Sequence, residues 1–423
     1  MFGSDLLIPP GGVLLHIGPH KTGTTAIQSA FRRIPERKLR EHGVVYAGEG
    51  RIHMRLASLA ITGRKGLAGD WERSDDDWNR VVTQVRSASD LRVIVSSEFF
   101  CEADDERAKR LIHDLGDERV HVVITLRHLG RILPSSWQQF VRNRMTKPYD
   151  EWLEKTLKGE QFRSPTPAFW RRHRHDALVE RWAALVGADN LAVVVLDESD
   201  RSMPLHTFEA MTGLPRDFLV AENSRANRSL TAAEVELVRQ INEVADKERW
   251  SDRAYHHYIR QGVIGRMGHC AVGPDEQPIQ TPQWALDRAQ EIGAAAARRI
   301  AELGVHVAGD LDSLGAALHA DTTPRALPAS ALPVERVREA VVGTLHAFGA
   351  STTEQIQGQA IGRASTRELV TILRHRAINR LRGRDATPPP PPPGKRPGKK
   401  PAPGKKGASP AQKDAPSSKK LSP

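Results

Sequence analysis

Cysteine, tyrosine and long apolar runs are all scarce in this chain of 423 residues. Its two cysteines, Cys101 and Cys270, are too few for a disulfide-stapled scaffold or a cysteine-rich zinc module. The longest apolar runs, such as 191–196, fall far short of the roughly 20 residues that a membrane-spanning helix needs. The first twelve residues have neither a basic start nor a long apolar stretch, so they do not indicate a secretory signal. These features predict a cytoplasmic, mainly globular protein.

Positive charge is concentrated at the carboxyl end of the chain. Residues 387–423 contain eight lysines and one arginine against one aspartate, which is +8 of the total net charge of +11 and leaves +3 for the rest. After Thr387 this segment has six successive prolines, and it has almost nothing apolar to bury, so we expect a disordered basic tail. Such a tail would keep the protein in solution or act as a tether, or it would contact an acidic partner or a membrane surface. The nearly neutral remainder does not predict nucleic-acid binding by the core.

Short apolar runs alternate with helical stretches over residues 13–316, which predicts one α/β domain. The expected strands are 13–17, 93–97, 120–126 and 191–196. Their nearly continuous apolar character is typical of strands buried on both faces, hence of a parallel sheet flanked by helices in three layers. Residues 320–333 have the composition of a linker, and 330–384 contain two helical patterns that predict a small helical appendage.

The first predicted strand leads directly into a loop rich in glycine and threonine, followed by a helix. Backbone N–H groups and the helix dipole make such a strand–loop–helix unit a natural anion site. Gly18 and Gly23 permit the turn, and Lys21 adds a full positive charge. The residues that we expect to contact a phosphate are Gly18, Lys21, Thr22, Gly23, Thr24 and Thr25. A P-loop for nucleoside triphosphates would have lysine after the second glycine, whereas this chain has Thr24 there. The loop therefore does not favour metal-assisted transfer of a γ-phosphate.

A second anion site is expected where the strand 120–126 ends. Arg127 follows that strand directly, and a planar guanidinium suits two-pronged phosphate binding. Ser135 comes eight residues later, near the predicted start of a helix over 135–141, and offers a hydroxyl.

The string Lys-Thr-Gly-Thr-Thr after an apolar strand resembles the 5′-phosphosulfate loop of sulfotransferases that use 3′-phosphoadenylyl sulfate (PAPS). Those enzymes also pair an arginine at a strand end with a serine eight residues later, and Arg127 and Ser135 match that spacing, although His128 and Leu129 replace the family's usual residues. The resemblance covers about 13–316. It implies a P-loop type fold, PAPS as co-substrate, no metal, and a hydroxyl or amine of a carbohydrate, lipid or small metabolite as acceptor. It also implies that Lys21 stabilises charge on the leaving phosphate.

The general base is not settled by the sequence. Glu98 follows the strand 93–97 and would lie at the carboxyl edge of the sheet. His53 and His20, the latter inside the loop, are the next candidates, and Glu49 is a weaker one. Each has an ordinary structural explanation as well, as an ion-paired, surface or loop-shaping residue.

Two other functions stay open. A kinase-like nucleotide-dependent transferase would share the strand–loop–helix unit, and a catalytically degenerate sulfotransferase fold would act as a binding protein. Two further expectations concern the surface. His173, His175 and Asp176 are predicted to face solvent. The stretch 261–278, with Arg266 and several glycines, would be either a flexible cover or a second contact to the donor.

Overall fold

The computed structural model describes residues 6–48, 53–64, 75–159, 166–221, 228–273, 276–321 and 332–363, with side chains up to residue 348. The chain divides into two units, residues 1–352 and 353–423. Of the second unit, the described part is 353–363, the last turns of a helix. The predicted basic tail, 387–423, and the later helical pattern of the predicted appendage lie outside the described residues.

A six-stranded sheet, parallel throughout, forms the centre of the first unit. Its strands are β1 (Val13–His16), β2 (Val44–Tyr46), β3 (Arg92–Ser96), β4 (Val120–Leu126), β5 (Leu191–Val195) and β6 (His306–Ala308). They lie in the order β2-β3-β1-β4-β5-β6. Val13 is in register with Val93 on one side and with Val120 on the other, so β1 is flanked by β3 and β4. The predicted three-layer fold with a central parallel sheet is confirmed.

Helices cover both faces of the sheet and extend beyond it. Those up to β5 are α1 (Thr24–Arg33), α2 (Glu36–Glu41), α3 (Met54–Ile61), α4 (Asp75–Arg86), α5 (Asp105–Leu115), α6 (Leu129–Arg142), α7 (Tyr149–Leu157), α8 (Pro167–His173) and α9 (His175–Val186). Those after β5 are α10 (Met203–Thr212), α11 (Ala232–Lys247), α12 (Asp252–Ala254), a π-helix (Tyr255–Ile264), α13 (Gly265–His269), α14 (Gln283–Glu302) and α15 (Val334–Arg363). Among the described helices, none combines the length and apolarity needed to cross a bilayer.

Alternate residues of each central strand enter different cores. Leu15 of β1 packs with Trp78 and Trp182 on one face, whereas Leu14 packs with Phe31 and Phe208 on the other. This is why the strands are apolar at almost every position, since each side chain is buried whichever way it points. A third core joins α6, α7, α8, α11, α14 and the π-helix. It attaches this helical region beside the carboxyl edge of the sheet.

The first turns of α15 belong to the first unit. Arg336 is almost fully buried and pairs with Glu276 and Glu234. Gly343 crosses the π-helix at Gly262, where a side chain would collide with the Gly262 carbonyl oxygen. The earlier of the two predicted helical patterns therefore lies in a packed helix.

Candidate active site

The loop between β1 and α1 is fixed from below by a buried polar network. The Thr125 hydroxyl of β4 lies 2.7 Å from that of Thr22 and donates to the Gly18 carbonyl at 3.2 Å. His16 contacts the Ser96 hydroxyl at 2.8 Å. Burial lowers the pKa of His16 to about 3, so its imidazole is neutral near pH 7. These contacts hold the loop to the ends of three neighbouring strands.

The backbone of this loop adopts positive φ angles, which favour glycine. Gly18 has φ 85°, and a side chain there would lie 2.8 Å from the Cα atom of Glu98. Lys21 also has a positive φ, 67°, which costs energy for a residue with a side chain. Gly23 is the N-cap of α1 and has no side chain to accept from the first N–H groups. The first backbone N–H groups of α1 therefore have no side-chain cap and are available to bind an anion.

A cleft of about 790 Å³ opens above this loop. Its wall carries a strong excess of positive charge: among the described residues, the lysine, arginine and carboxylate side chains on it are Lys21, Arg55, Arg64, Arg142, Arg172, Arg228, Arg260 and Glu98. Its polar neutral residues include Thr24, Thr25, Ser135, Gln138 and Gln139. A lining of this kind suits a ligand with several negative charges.

Three arginines of the cleft wall, Arg64, Arg172 and Arg228, are already paired with buried carboxylates. The buried carboxylate of Glu102 pairs with Arg64 and, at 3.0 Å, with Arg172. Arg228 makes two hydrogen bonds to the buried Glu234. These pairs shape the wall and leave less charge for a ligand.

Lys21 and Arg142 differ from the paired arginines. Within the described residues, neither has a carboxylate or hydrogen-bonding partner, and the Nε atom of Arg142 is buried. Burial, followed by the charge of Arg142, lowers the pKa of Lys21 to about 8. Burial also lowers the pKa of Arg142. A half-buried cation that lacks an ion-pair partner is costly, and a bound anion would offset that cost.

Glu98 is the one predicted base with a carboxylate on the cleft wall. Gln28 donates to its Oε2 atom at 3.2 Å. Burial by itself would raise the pKa of Glu98, but the nearby imidazole of His20 and hydrogen bonds from its own backbone and from Gln28 outweigh it, so the pKa is lowered. Glu98 is therefore ionised near pH 7.

The two predicted histidines are placed differently. His20 lines the cleft, and its Nε2 atom lies 3.3 Å from the Glu102 carboxylate. Burial, reinforced by Arg172, holds the pKa of His20 well below its usual value. His53 is exposed at the start of α3 and is not among the lining residues. Its neighbour Arg55 reaches the cleft instead. Glu49 lies outside the described residues.

Of the two residues of the predicted second anion site, Ser135 lies on the cleft wall and Arg127 does not. Ser135 lines the cleft from the middle of α6 rather than near the start of a helix, and its hydroxyl donates to the Ile132 carbonyl. The helix begins at Leu129, so the predicted start at residue 135 was wrong. Arg127 is not on the cleft wall, and its guanidinium forms a two-bond pair with Glu198. Its charge still acts on Lys21.

Two surface predictions were wrong. His173 and His175 are only 2% and 3% exposed. The His173 ring packs against the Phe169 ring, with 4.9 Å between the ring centroids. Burial lowers the pKa of both histidines. Asp176 is only partly buried.

The first part of the stretch 261–278 is not a flexible loop. Its residues continue the π-helix and form α13, and Ile264, Gly265 and Gly268 line the cleft.

Metal ligands are not grouped in the described parts of the chain, where no cluster of three or more His, Cys, Asp or Glu side chains could hold an ion.

Comparisons with known proteins give distant similarity to solved structures alone. No protein-family model and no curated protein matches the chain. Among solved structures, it is similar to a sulfotransferase from Alicyclobacillus acidocaldarius, with 17% sequence identity over 59% of this chain and 100% of that chain, and a TM-score of 0.36. A similarity this distant does not establish an activity, so the functional assignment depends on the chemistry of the cleft.

Proposed function

We propose that this protein is a sulfotransferase that moves a sulfuryl group from PAPS to a hydroxyl or amine of a carbohydrate, lipid or small metabolite. The observation that carries the proposal is Lys21: an unpaired lysine in a positive-φ loop between a buried strand and a helix start, facing a cationic cleft. Its position in mid-loop suits charge neutralisation on a phosphate. PAPS supplies an activated sulfuryl group whose transfer leaves adenosine 3′,5′-bisphosphate.

The charges of the cleft fit the binding of such a donor. The N–H groups at the start of α1, with the hydroxyls of Thr24 and Thr25, are available to a phosphate on the 5′ side. Lys21 would hold the negative charge that develops on the leaving phosphate, which is stabilisation delivered where charge forms. Ser135 lines the same cleft and would contact the 3′-phosphate.

Glu98 is the base that the geometry favours. It lies on the cleft wall, is ionised near pH 7, and is oriented by the hydrogen bond from Gln28. An acceptor hydroxyl or amine in reach would transfer its proton to this carboxylate as the new bond forms. His20 is less suited, because its Nε2 atom faces the Glu102 carboxylate at 3.3 Å.

Transfer from radiolabelled PAPS to a panel of carbohydrate, lipid and small-molecule acceptors tests the proposal. We expect Lys21→Ala to lose most of the turnover and Glu98→Gln to lose about 100-fold, the usual contribution of a general base. The matched control is Glu118→Gln, which removes an exposed carboxylate elsewhere. Circular dichroism verifies that each variant is folded. Full activity in folded Lys21→Ala would contradict the assignment.

A further inference from the structure

The guanidinium of Arg127 binds the carboxylate of Glu198 in the way that it would bind a phosphate. Its Nε atom donates to Glu198 Oε1 at 2.5 Å, and a terminal nitrogen donates to Oε2 at 2.9 Å. Two parallel bonds from one guanidinium are also the geometry with which arginine binds a phosphate. Glu198 and a phosphate therefore cannot use this face of Arg127 together.

The sheet explains why these residues meet. Leu126 of β4 is in register with Val195 of β5, and the Leu196 N–H donates to the Leu126 carbonyl. Arg127 follows β4 directly and Glu198 comes shortly after β5, both at the carboxyl edge beside the loop that contains Lys21. The segment after β5 is held in turn, because Asp197 accepts from the Ser199 N–H and hydroxyl. Glu198 is thus presented to Arg127 by a restrained backbone.

The pair is weak enough to be exchanged. The side chains of Arg127 and Glu198 are 27% and 49% exposed, so water competes for both groups. Exposed pairs of this kind contribute little to stability. The hydrogen bonds from Arg127 come first among the causes that lower the pKa of Glu198, so the carboxylate is charged near pH 7 and competes as an anion.

We propose that Glu198 competes with the 3′-phosphate of the nucleotide for Arg127 and thereby speeds release of adenosine 3′,5′-bisphosphate. This inference rests on the proposed function. A nucleotide with a 3′-phosphate must displace Glu198 to reach Arg127, and Glu198 returns as the nucleotide leaves. A nucleotide with a 3′-hydroxyl leaves the pair intact. Because product release limits the turnover of many enzymes, a carboxylate that reclaims the arginine assists the cycle.

Titration calorimetry and stopped-flow dissociation on the full chain test this, with adenosine 3′,5′-bisphosphate and 5′-AMP as the probes. We expect Glu198→Gln to bind the bisphosphate about two- to five-fold more tightly, through slower dissociation, because the competing charge of an exposed pair is removed. Its affinity for 5′-AMP should not change. The gain should vanish in Arg127→Gln/Glu198→Gln compared with Arg127→Gln alone.

The control is Glu291→Gln, which removes a carboxylate from another exposed arginine pair and so reproduces the change in net charge. An unchanged affinity of Glu198→Gln for the bisphosphate would overturn the inference, as would an equal gain for both nucleotides or a gain that persists without Arg127. If the wild-type protein binds the bisphosphate no better than 5′-AMP, the proposed function itself fails, and the two failures are distinguishable.

Discussion

Two cations follow two neighbouring strands of the sheet, and their surroundings differ. Lys21 lies in the loop after β1, lines the cleft, and has no acidic partner among the described residues. Arg127 follows β4, is held by Glu198, and does not line the cleft. The same local pattern, a buried strand followed by a cation, thus produces an unpaired charge in one case and an ion pair in the other.

The difference comes from a third strand. Glu198 follows β5, about 70 residues after Arg127 in the chain, and reaches it only because β4 and β5 are adjacent. No strand supplies Lys21 with an equivalent partner, since the nearest carboxylate on the cleft wall, Glu98, is directed to Gln28. Whether a cation is available to a ligand therefore depends on long-range pairing of strands.

Removing each cation in turn measures this difference. We expect Lys21→Ala to weaken the binding of adenosine 3′,5′-bisphosphate about 100-fold, because a half-buried charge contributes strongly to anion binding. Arg127→Gln should weaken it only about 10-fold, since binding at Arg127 also requires the loss of Glu198. Titration calorimetry gives both values. Equal losses would show that the pairing of Arg127 has no energetic consequence.

The pH dependence of nucleotide affinity separates the two sites further. The pKa of Lys21 is lowered to about 8, so its ammonium is largely intact below pH 8 and is lost as the pH rises through that value. Since the anion binds the protonated form, the affinity for adenosine 3′,5′-bisphosphate should fall between pH 8 and 9.5, by at most about tenfold per unit. Lys21→Arg, which remains charged, should show a flat profile over this range. A wild-type profile equally flat would contradict the role of Lys21.

Removing the Thr125 hydrogen bonds beneath the loop between β1 and α1 should have a smaller effect than removing either cation. Thr125→Val keeps the shape of the side chain but removes the hydroxyl that contacts Thr22 and the Gly18 carbonyl. We expect the free energy of unfolding to fall by about 1–2 kcal/mol, because buried polar groups lose a partner. Urea denaturation measures the change, with the exposed Thr83→Val as a control. No loss relative to that control would mean that the network does not stabilise the loop.

Much of the sheet could be predicted from the sequence. The four predicted strands agree with β1, β3, β4 and β5 to within a residue or so at each end, because all are continuously apolar. The strands β2 (Val44–Tyr46) and β6 (His306–Ala308) were missed. Each has only three residues, and β6 is only partly buried. A run this short shows no periodicity that would separate a strand from a loop.

The candidate site was less predictable than the sheet. Lys21, Glu98 and Ser135 follow local patterns and do lie on one cleft. Arg142 had no local signal beyond its spacing of two helical turns from Ser135 on α6, and Arg64 and Arg172 meet only through the buried Glu102. Such groupings depend on contacts between distant segments, which composition and periodicity do not encode.

The most direct test of the central claim is the thermal unfolding of the full chain with adenosine 3′,5′-bisphosphate, with 5′-AMP and with ATP, each at the same concentration. A ligand that binds the native state raises its apparent stability. The account predicts a clear rise in the unfolding midpoint with the bisphosphate, a smaller one with the other nucleotides, and loss of the difference in Lys21→Ala. An equal or larger rise with ATP, or no rise with the bisphosphate, would contradict it.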